Sequence, residues 1–353
     1  MLGLENDLDE ILVNGREDFL RLQGASMFIT GGTGFFGKWL LASLCEAERR
    51  LKLGISIAAL SRDPKSFLAR FPEFDQPFIN FVKGDVLGAG DLPRGSFDIG
   101  IHAAVEASAA LNLNDPLKML ETNVYGTRRM MDFFGQSGVK RALFVSSGAV
   151  YGPQPLDFPT LPESYAGAPS TLNVANAYAE GKRVAELFST LISNAKNFDL
   201  VVARCFAFVG PFLPLDTHFA IGNFIFDALG GKEIVIKGDG TPVRSYLYSS
   251  DLVEWLLAVL VRGKSSTAYN VGSEEAVTML ELAETISGCV DPKPTVHKQI
   301  PTVKIPSGGG NRYVPSTRLA REELGLKQRI SLQEAIRRTV DWNQRNSKIS
   351  IRG

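Results

Sequence analysis

The sequence predicts an α/β protein, a doubly wound parallel sheet with helices on both faces and a smaller mixed α/β lobe at its C-terminal end. Two observations carry this. Short apolar runs alternate with longer helical patterns as far as about residue 204, and a glycine-rich turn separates the first such run from the helix after it. Strands alternating with helices build βαβ units, whose crossovers cover both faces of a parallel sheet.

The elements are taken in chain order. Residues 4–23 carry Leu8, Ile11, Leu12, Phe19, Leu20 and Leu22 at helical spacing, which predicts one amphipathic helix packed on the outside of the sheet domain. Ser26–Thr30 reads as a strand, Gly31–Gly37 as a turn and Lys38–Leu51 as a helix. Further strands are expected at Ile55–Leu60, Phe78–Val82, Ile99–Ala103, Ala142–Val145 and Leu200–Ala203, with helices Pro116–Phe134 and Ala175–Ser193 among them. Beyond residue 204 the pieces shorten. Helices are expected near Phe219–Leu229, Asp251–Val261, Thr278–Ser287, Thr317–Glu323 and Ser331–Asn343, with strands Glu233–Lys237 and Tyr269–Val271. Ser331-Leu-Gln-Glu334 has the spacing of a capping box.

Composition narrows the class. A chain of 353 residues accommodates one large α/β domain or two modest ones. Its 38 basic and 38 acidic residues give a net charge of +0, so nothing draws it to nucleic acid or to an anionic membrane. Cys45, Cys205 and Cys289 lie far apart without a CxxC pair, which fits a reducing compartment and no disulfide or zinc framework. The N-terminus is acidic where a signal peptide is basic, and the most apolar run, Trp255–Val261, is too short to span a bilayer. A cytoplasmic location is expected.

Tyr178-Ala-Glu-Gly-Lys182 places a phenol and an ammonium one turn apart on one helix face. A phenol has an ordinary pKa of about 10, and lowering it to about 7 takes about 4 kcal/mol. A cation at about 4 Å in an effective dielectric near 20 supplies that much. The same spacing is common on solvated faces, so the pair gains meaning only from its surroundings.

Gly31-Gly-Thr33-Gly34-Phe35-Phe36-Gly37 follows a strand and opens a helix, the setting in which glycines let a backbone approach a pyrophosphate at a helix N-terminus. A dinucleotide site is expected there. The next strand ends at Ser61-Arg62-Asp63; an arginine at this tip suits a 2′-phosphate and a carboxylate suits a free ribose, and Ser61 with Arg62 favours NADP over NAD. Ser147, at the carboxyl end of another strand, either meets a ligand hydroxyl or caps a turn.

These segments occur in one order with His102-Ala-Ala104, Thr122-Asn123-Val-Tyr-Gly126-Thr127, Gly210-Pro211 and Gly238-Asp-Gly-Thr-Pro-Val-Arg244. The order resembles the extended short-chain dehydrogenase/reductases, specifically the nucleotide-sugar epimerase/dehydratase group, from about residue 26 to 343. The motifs are most similar to those of UDP-glucuronate decarboxylases, with UDP-glucose 4-epimerases beside them. The resemblance implies a Rossmann-type domain at 26–204, preceded by a helical extension at 1–25 and followed by a nucleotide-sugar-binding lobe over most of 205–353.

It also implies roles. Tyr178 would exchange a proton with a sugar hydroxyl, Lys182 would lower its pKa and hold the nicotinamide ribose, and Ser147 would bind the same sugar oxygen. Cofactor contacts would come from Gly31, Thr33, Gly34, Phe35, Phe36, Gly37, Ser61, Arg62, Asp85, Val86, Ala103, Ala104 and Asn123. Asn223 and Arg244 would bind the nucleotide and its diphosphate, with Arg312 in the same role. The partner is then a nucleotide-diphosphate sugar, and a homodimer is implied through the helices holding Asn123 and Tyr178.

The departures bear on the reaction. Where 4,6-dehydratases of this group carry an Asp-Glu pair and decarboxylases a Glu, this chain has Gly148-Ala149. Loss of those carboxylates favours oxidation and reduction at one carbon, as in a C4 epimerase, or in an NADPH-dependent keto-sugar reductase. Glu106 either supplies a carboxylate from a neighbouring loop, keeping dehydration and decarboxylation open, or is a solvated loop residue. Ala207 replaces an asparagine of the group, and His218 is either a sugar contact or structural. A binding module without catalysis would not need the phenol.

Overall fold

The computed structural model describes residues 2–88, 92–104, 109–217, 219–299 and 312–346, so Glu106, His218 and the tail from 347 lie outside the described residues. The main sheet is built from β1 (Ser26–Thr30), β2 (Ser56–Ser61), β3 (Ile79–Lys83), β4 (Ile99–His102), β5 (Arg141–Ser147) and β6 (Asp199–Cys205). Its order is β3-β2-β1-β4-β5-β6, with Thr267–Val271 beyond β6 as the seventh strand. Every neighbouring pair is parallel. The direction of winding reverses between β1 and β4, and a crevice opens there at the carboxyl ends of the strands. Met27, Phe28 and Ile29 are wholly buried, as the continuous apolar reading of a doubly covered strand requires.

The helices are α1 (Glu5–Asn14), α2 (Arg16–Leu20), α3 (Phe35–Leu51), α4 (Pro64–Arg70), α5 (Ala109–Asn114), α6 (Pro116–Gln136), α7 (Ala177–Lys196), α8 (Ala220–Leu229), α9 (Ser249–Arg262), α10 (Met279–Gly288), α11 (Arg318–Leu324) and α12 (Leu332–Arg345). One face of the sheet packs on α3 and α9 through Trp39, Leu41, Trp255 and Leu256. Phe28, Met130, Phe134, Phe144 and Ala185 join the other face to α6 and α7. A second core, with Phe224, Ile225, Leu282 and Ile336, holds α8, α10 and α12 together as the smaller lobe.

The segment after 204 does not stay in that lobe. It returns to the main core as α9 and pairs Thr267–Val271 with β6 before leaving again. In the lobe, Val243–Ser245 lies between Ala276–Thr278 and Arg312–Tyr313, and its parallel pairing sets Arg244 beside Tyr313. Thr278 and Glu281 form a reciprocal capping box on α10. At Ser331 only half of the expected box forms, since its hydroxyl accepts from the Glu334 N–H while the Glu334 carboxylate binds Arg337 and Arg338.

The expected single helix over 4–23 is broken at Gly15 into α1 and α2. Glycine is, after proline, the residue least able to hold a helix interior. Leu4, Leu8, Ile11, Leu12, Phe19 and Leu22 bury against α3 and α9 and become part of the main core. The extension also ties the two halves. Buried Asp7 accepts from the Tyr248 hydroxyl at 2.8 Å and from Arg338 at 2.6 Å, Arg338 reaches Glu10 as well, and Arg262 binds Asp18. Burial pushes the Asp7 carboxyl up, and Tyr248 and Arg338 oppose that shift.

Removing Arg338 leaves a buried carboxylate with its hydroxyl partner alone. Arg338→Ala is expected to cost about 3 kcal/mol in urea unfolding, and Asp7→Asn in that background to recover part of the loss.

Candidate active site

The glycine turn closes on itself and on β4. A Cβ at Gly37 would lie 2.1 Å from the Gly31 carbonyl oxygen, and one at Gly31, where φ is +77°, 2.5 Å from the backbone of Ala103. Ala103 and Ala104 are fixed in turn, because their N–H groups donate to the carbonyl and hydroxyl of Thr30. Gly34 precedes α3 with no capping side chain, and no acidic residue occupies the first turn of Phe35, Phe36 and Gly37. A helix start with open backbone and no competing carboxylate fits a pyrophosphate. Thr33 lies in this turn, partly buried.

Ser61 ends β2 and is buried, while Arg62 is exposed. Asp63 accepts the Ser66 N–H at 3.1 Å and so caps α4. Asp85 holds its own turn through the Leu87 N–H, Arg129 donates to the Asp85 carbonyl, and Val86 fills the space that Gly126 leaves on α6. Asn123 is buried on α6, its amide donating to the Met119 carbonyl, and its Cβ lies 3.1 Å from where one at Gly181 would be. That close approach brings α7 onto α6.

Ser147, Tyr178 and Lys182 come together at the carboxyl end of β5. The Ser147 hydroxyl accepts the Ala149 N–H at 3.2 Å, so it does cap a turn, and it favours the ionised form of the neighbouring Tyr178 phenol. Tyr178 is set at the start of α7 by its N–H donating to Asn112. Lys182, 1% exposed, donates to the Val145 carbonyl at 2.7 Å and sits 4.9 Å from the centre of the Phe144 ring.

The electrostatics differ from expectation. Burial pushes the Tyr178 phenol up to about 12, opposed by the Ser147 hydroxyl, and Cys205 adds to the rise. Burial likewise pushes Lys182 down to about 7, against Cys205 and Glu186. Lys182 shares the face of Tyr178, as the spacing requires, but its ammonium is turned to the β5 backbone, where it donates to the Val145 carbonyl. Desolvation disfavours the charge on each. His102 is held neutral, down at about 3, by burial among Thr30, Thr127 and the Phe144 ring.

A partly buried polar network anchors α7 behind the site. Glu186, one turn beyond Lys182, accepts from Ser146 at 2.6 Å and from both arms of Arg204 at 3.1 and 2.8 Å. Arg204 also donates to the Tyr151 hydroxyl, which donates to Asn270 on the seventh strand. From the smaller lobe, Asn223 lies on α8 and Arg244 on its strand, both partly buried. Arg312 donates to the Pro159 carbonyl at 2.6 Å, so its guanidinium is partly engaged in holding a loop.

Two residues at the centre escaped the sequence reading. The Tyr313 ring packs on Phe206 with centres 4.6 Å apart. Both lie over Gly148, where a Cβ would be 2.6 Å from the Tyr313 hydroxyl and 2.6 Å from Phe206. The available signal was the small pair Gly148-Ala149, which leaves volume for a large side chain from elsewhere.

A strand-turn-helix phosphate cradle beside a Ser, Tyr and Lys set defines a nicotinamide-dependent enzyme of the short-chain dehydrogenase/reductase type. The chain belongs to the NAD dependent epimerase/dehydratase family, whose model matches residues 27–272. It is similar to UDP-glucuronic acid decarboxylase 2 of Arabidopsis thaliana, with 30% identity over 331 residues, 92% of this chain and 70% of the relative. Similarity to decarboxylase 6 of the same plant is 31% over 311 residues, 88% and 86% of the two chains. Among solved structures it is similar to the dTDP-glucose 4,6-dehydratase of Streptomyces venezuelae with NAD bound, at TM-score 0.78 and 25% identity over 92% of this chain and 98% of the other. Epimerase Mth375 of Methanothermobacter thermautotrophicus matches at TM-score 0.78 and 25% identity, over 96% and 97%. Family membership therefore does not choose among the reactions. Among the described residues, no helix is long and apolar enough to cross a membrane.

The depressed Lys182 has a stability consequence. Between about pH 7 and its ordinary value of about 10, the unfolded chain binds more protons than the folded one, so stability rises with pH across that window. Lys182→Met is expected to flatten that rise and to raise the melting temperature of the cofactor-free protein at pH 6 by roughly 3–6 °C, read by calorimetry.

Proposed function

We propose that the protein is a nucleotide-sugar epimerase that oxidises one sugar carbon, C4, transiently and restores it with the opposite configuration. The observation that carries this reading is the make-up of the centre. Ser147 favours the ionised form of Tyr178 beside buried Lys182, and the adjoining floor is Gly148-Ala149 under the rings of Phe206 and Tyr313. Dehydration and decarboxylation call for a carboxylate at that floor; hydride exchange at one carbon does not.

A bound nicotinamide dinucleotide supplies the hydride acceptor and donor. The residues handle the proton. Tyr178 takes it from the sugar hydroxyl during oxidation and returns it after the keto-sugar has turned within the cleft. To act as base the phenol must first ionise. Ser147 favours its charged form, and turning the Lys182 ammonium from the Val145 carbonyl toward the cleft adds about 4 kcal/mol at about 4 Å. Asn223 and Arg244 hold the nucleotide diphosphate from the smaller lobe, with Arg312 shaping the loop beside them.

One oxygen of the Asp63 carboxylate caps α4, and exposed Arg62 stands beside it at the β2 tip, which supports NADP over NAD. The same observation favours the second reading, an NADPH-dependent keto-sugar reductase. The 30% identity to UDP-glucuronic acid decarboxylases supports a third, decarboxylation or dehydration with a carboxylate such as Glu106 brought from another loop.

Incubation with UDP-glucose, dTDP-glucose and UDP-glucuronate, with nuclear magnetic resonance of the products, separates these readings. An epimer formed without added cofactor is expected; loss of carbon dioxide or water, or stoichiometric consumption of NADPH with a keto-sugar, would replace the epimerase. Tyr178→Phe is expected to lower turnover at least about 100-fold while keeping cofactor affinity.

A homodimer through α6 and α7 is part of the proposal. Leu117 and Tyr125 on α6 are 64% and 57% exposed, and Leu187 and Leu191 on α7 are 60% and 56% exposed. An apolar stripe on two adjacent helices suits a second copy of the same pair. Leu187→Glu is expected to give a monomer in analytical ultracentrifugation, with the wild type sedimenting as a dimer.

A further inference from the structure

We propose that Lys38 is a positioning residue for the nucleotide half of the substrate, holding the turn at Pro211-Phe212 and, through it, Asn223 on α8. The inference rests on the reading of Asn223 and Arg244 as the residues that hold a nucleotide diphosphate, and goes beyond it to what sets Asn223 in place. Lys38 stands one turn into α3, the helix whose start forms the phosphate cradle. It is partly buried, and its ammonium lies 4.9 Å from the centre of the Phe71 ring and 4.9 Å from that of Phe212. Among the described residues no hydrogen bond or ion pair reaches that ammonium, so two aromatic rings are what hold the charge.

The second ring sits on a strained backbone. Phe212 has φ +69°, in the left-handed region that a bulky residue adopts only when its surroundings hold it there. Three contacts do so. Lys38 faces the ring, Trp342 on α12 meets it edge-on at 5.0 Å, and Trp39 donates its indole N–H to the Pro211 carbonyl at 2.8 Å. Consecutive residues of the cofactor helix therefore grip one turn, Lys38 by its ring and Trp39 by its backbone. The same stretch of chain then supports the smaller lobe. A Cβ at Gly222 of α8 would lie 2.9 Å from the Pro214 carbonyl oxygen and 3.3 Å from the Leu215 Cα, so backbone rests on backbone there. Asn223 is the next residue. A shift of the Phe212 turn passes through Pro214 and Leu215 to the turn of α8 that carries Asn223, with no side chain between to absorb it.

The charge matters beyond the length of the side chain. An ammonium is drawn to a ring face by its charge, which a neutral amine lacks. Burial, with the Arg70 guanidinium adding to it, lowers Lys38 to about 8, so the grip weakens as pH rises through that value. Arg70, at the end of α4, stacks on the same Phe71 ring at 5.3 Å. Residues 211–215, Pro-Phe-Leu-Pro-Leu, carry no charge, and α12 presents Trp342.

The test is calorimetric titration with UDP, which has the nucleotide and both phosphates but no sugar to turn over, at intervals between about pH 7 and 10. Lys38→Met keeps an unbranched apolar chain over the rings. At neutral pH it is expected to weaken UDP binding by about 3–30-fold, the worth of a partly desolvated cation on a ring, while NADP affinity changes by less than about 2-fold. Wild-type affinity for UDP should fall as pH rises through about 8. Lys38→Arg stays charged throughout and is expected to lose that fall, whereas Lys38→Met should be weak at every pH. Unchanged UDP binding in Lys38→Met, an equal loss of UDP and NADP, or a fall with pH that Lys38→Arg retains would overturn the positioning role and leave Asn223 as a nucleotide contact. Wild type that binds no UDP, or Asn223→Ala that binds it undiminished, would overturn the nucleotide site beneath it.

Discussion

The amine of Lys182 is buried against the sheet with one carbonyl for a partner, and much of the site is organised around keeping it there. Burial of a charge without a counter-ion is among the least favourable arrangements a fold can hold. The amine answers by moving toward its neutral form, down to about 7, and by resting on the face of Phe144. A group so placed gains by turning toward any partner that enters the crevice. The same burial raises Tyr178, so the protein by itself keeps both groups near their neutral forms and leaves their activation to what binds.

Such a centre holds its geometry only if α7 is fixed more firmly than the tips of the strands. Glu186 and Arg204 supply that anchor, a two-armed ion pair whose remaining acceptors and donors are met by Ser146 and Tyr151. Full satisfaction matters here, since a buried pair with loose ends costs more than it returns. The network runs on to Asn270, which gives Thr267–Val271 a reason to leave the smaller lobe and lie beside β6. A strand so distant in sequence completes the support of α7.

How far this was legible depended on the range of the interaction. Periodicity and glycine spacing are local, and they located β1 to β6, the turn at Gly31–Gly37 and the shared face of Tyr178 and Lys182. Roles that depend on particular partners did not show. The carboxylate of Asp63 looked available for a ribose, yet the first turn of α4 takes it as a cap. The i,i+4 spacing placed Lys182 on the right face but could not reveal that Val145, 37 positions away, would bind its ammonium. Residues 4–23 read as one outer helix, whereas Asp7 and Arg338, at opposite ends of the chain, make it a tie between the sheet and α12.

Gly148 shows the limit most directly. Read along the chain, it is a lost side chain, and the loss argues only about which reactions the site has given up. In three dimensions it is an exchange. The volume vacated at the end of β5 is taken by a phenol from a strand near the other end of the chain. A carboxylate there would be a fixed charge; a phenol at the same place stays neutral across the physiological range, since burial pushes Tyr313 up. The change therefore sets a neutral group where a fixed negative charge would stand. The proposed reversible oxidation at one carbon needs no more than that neutral floor.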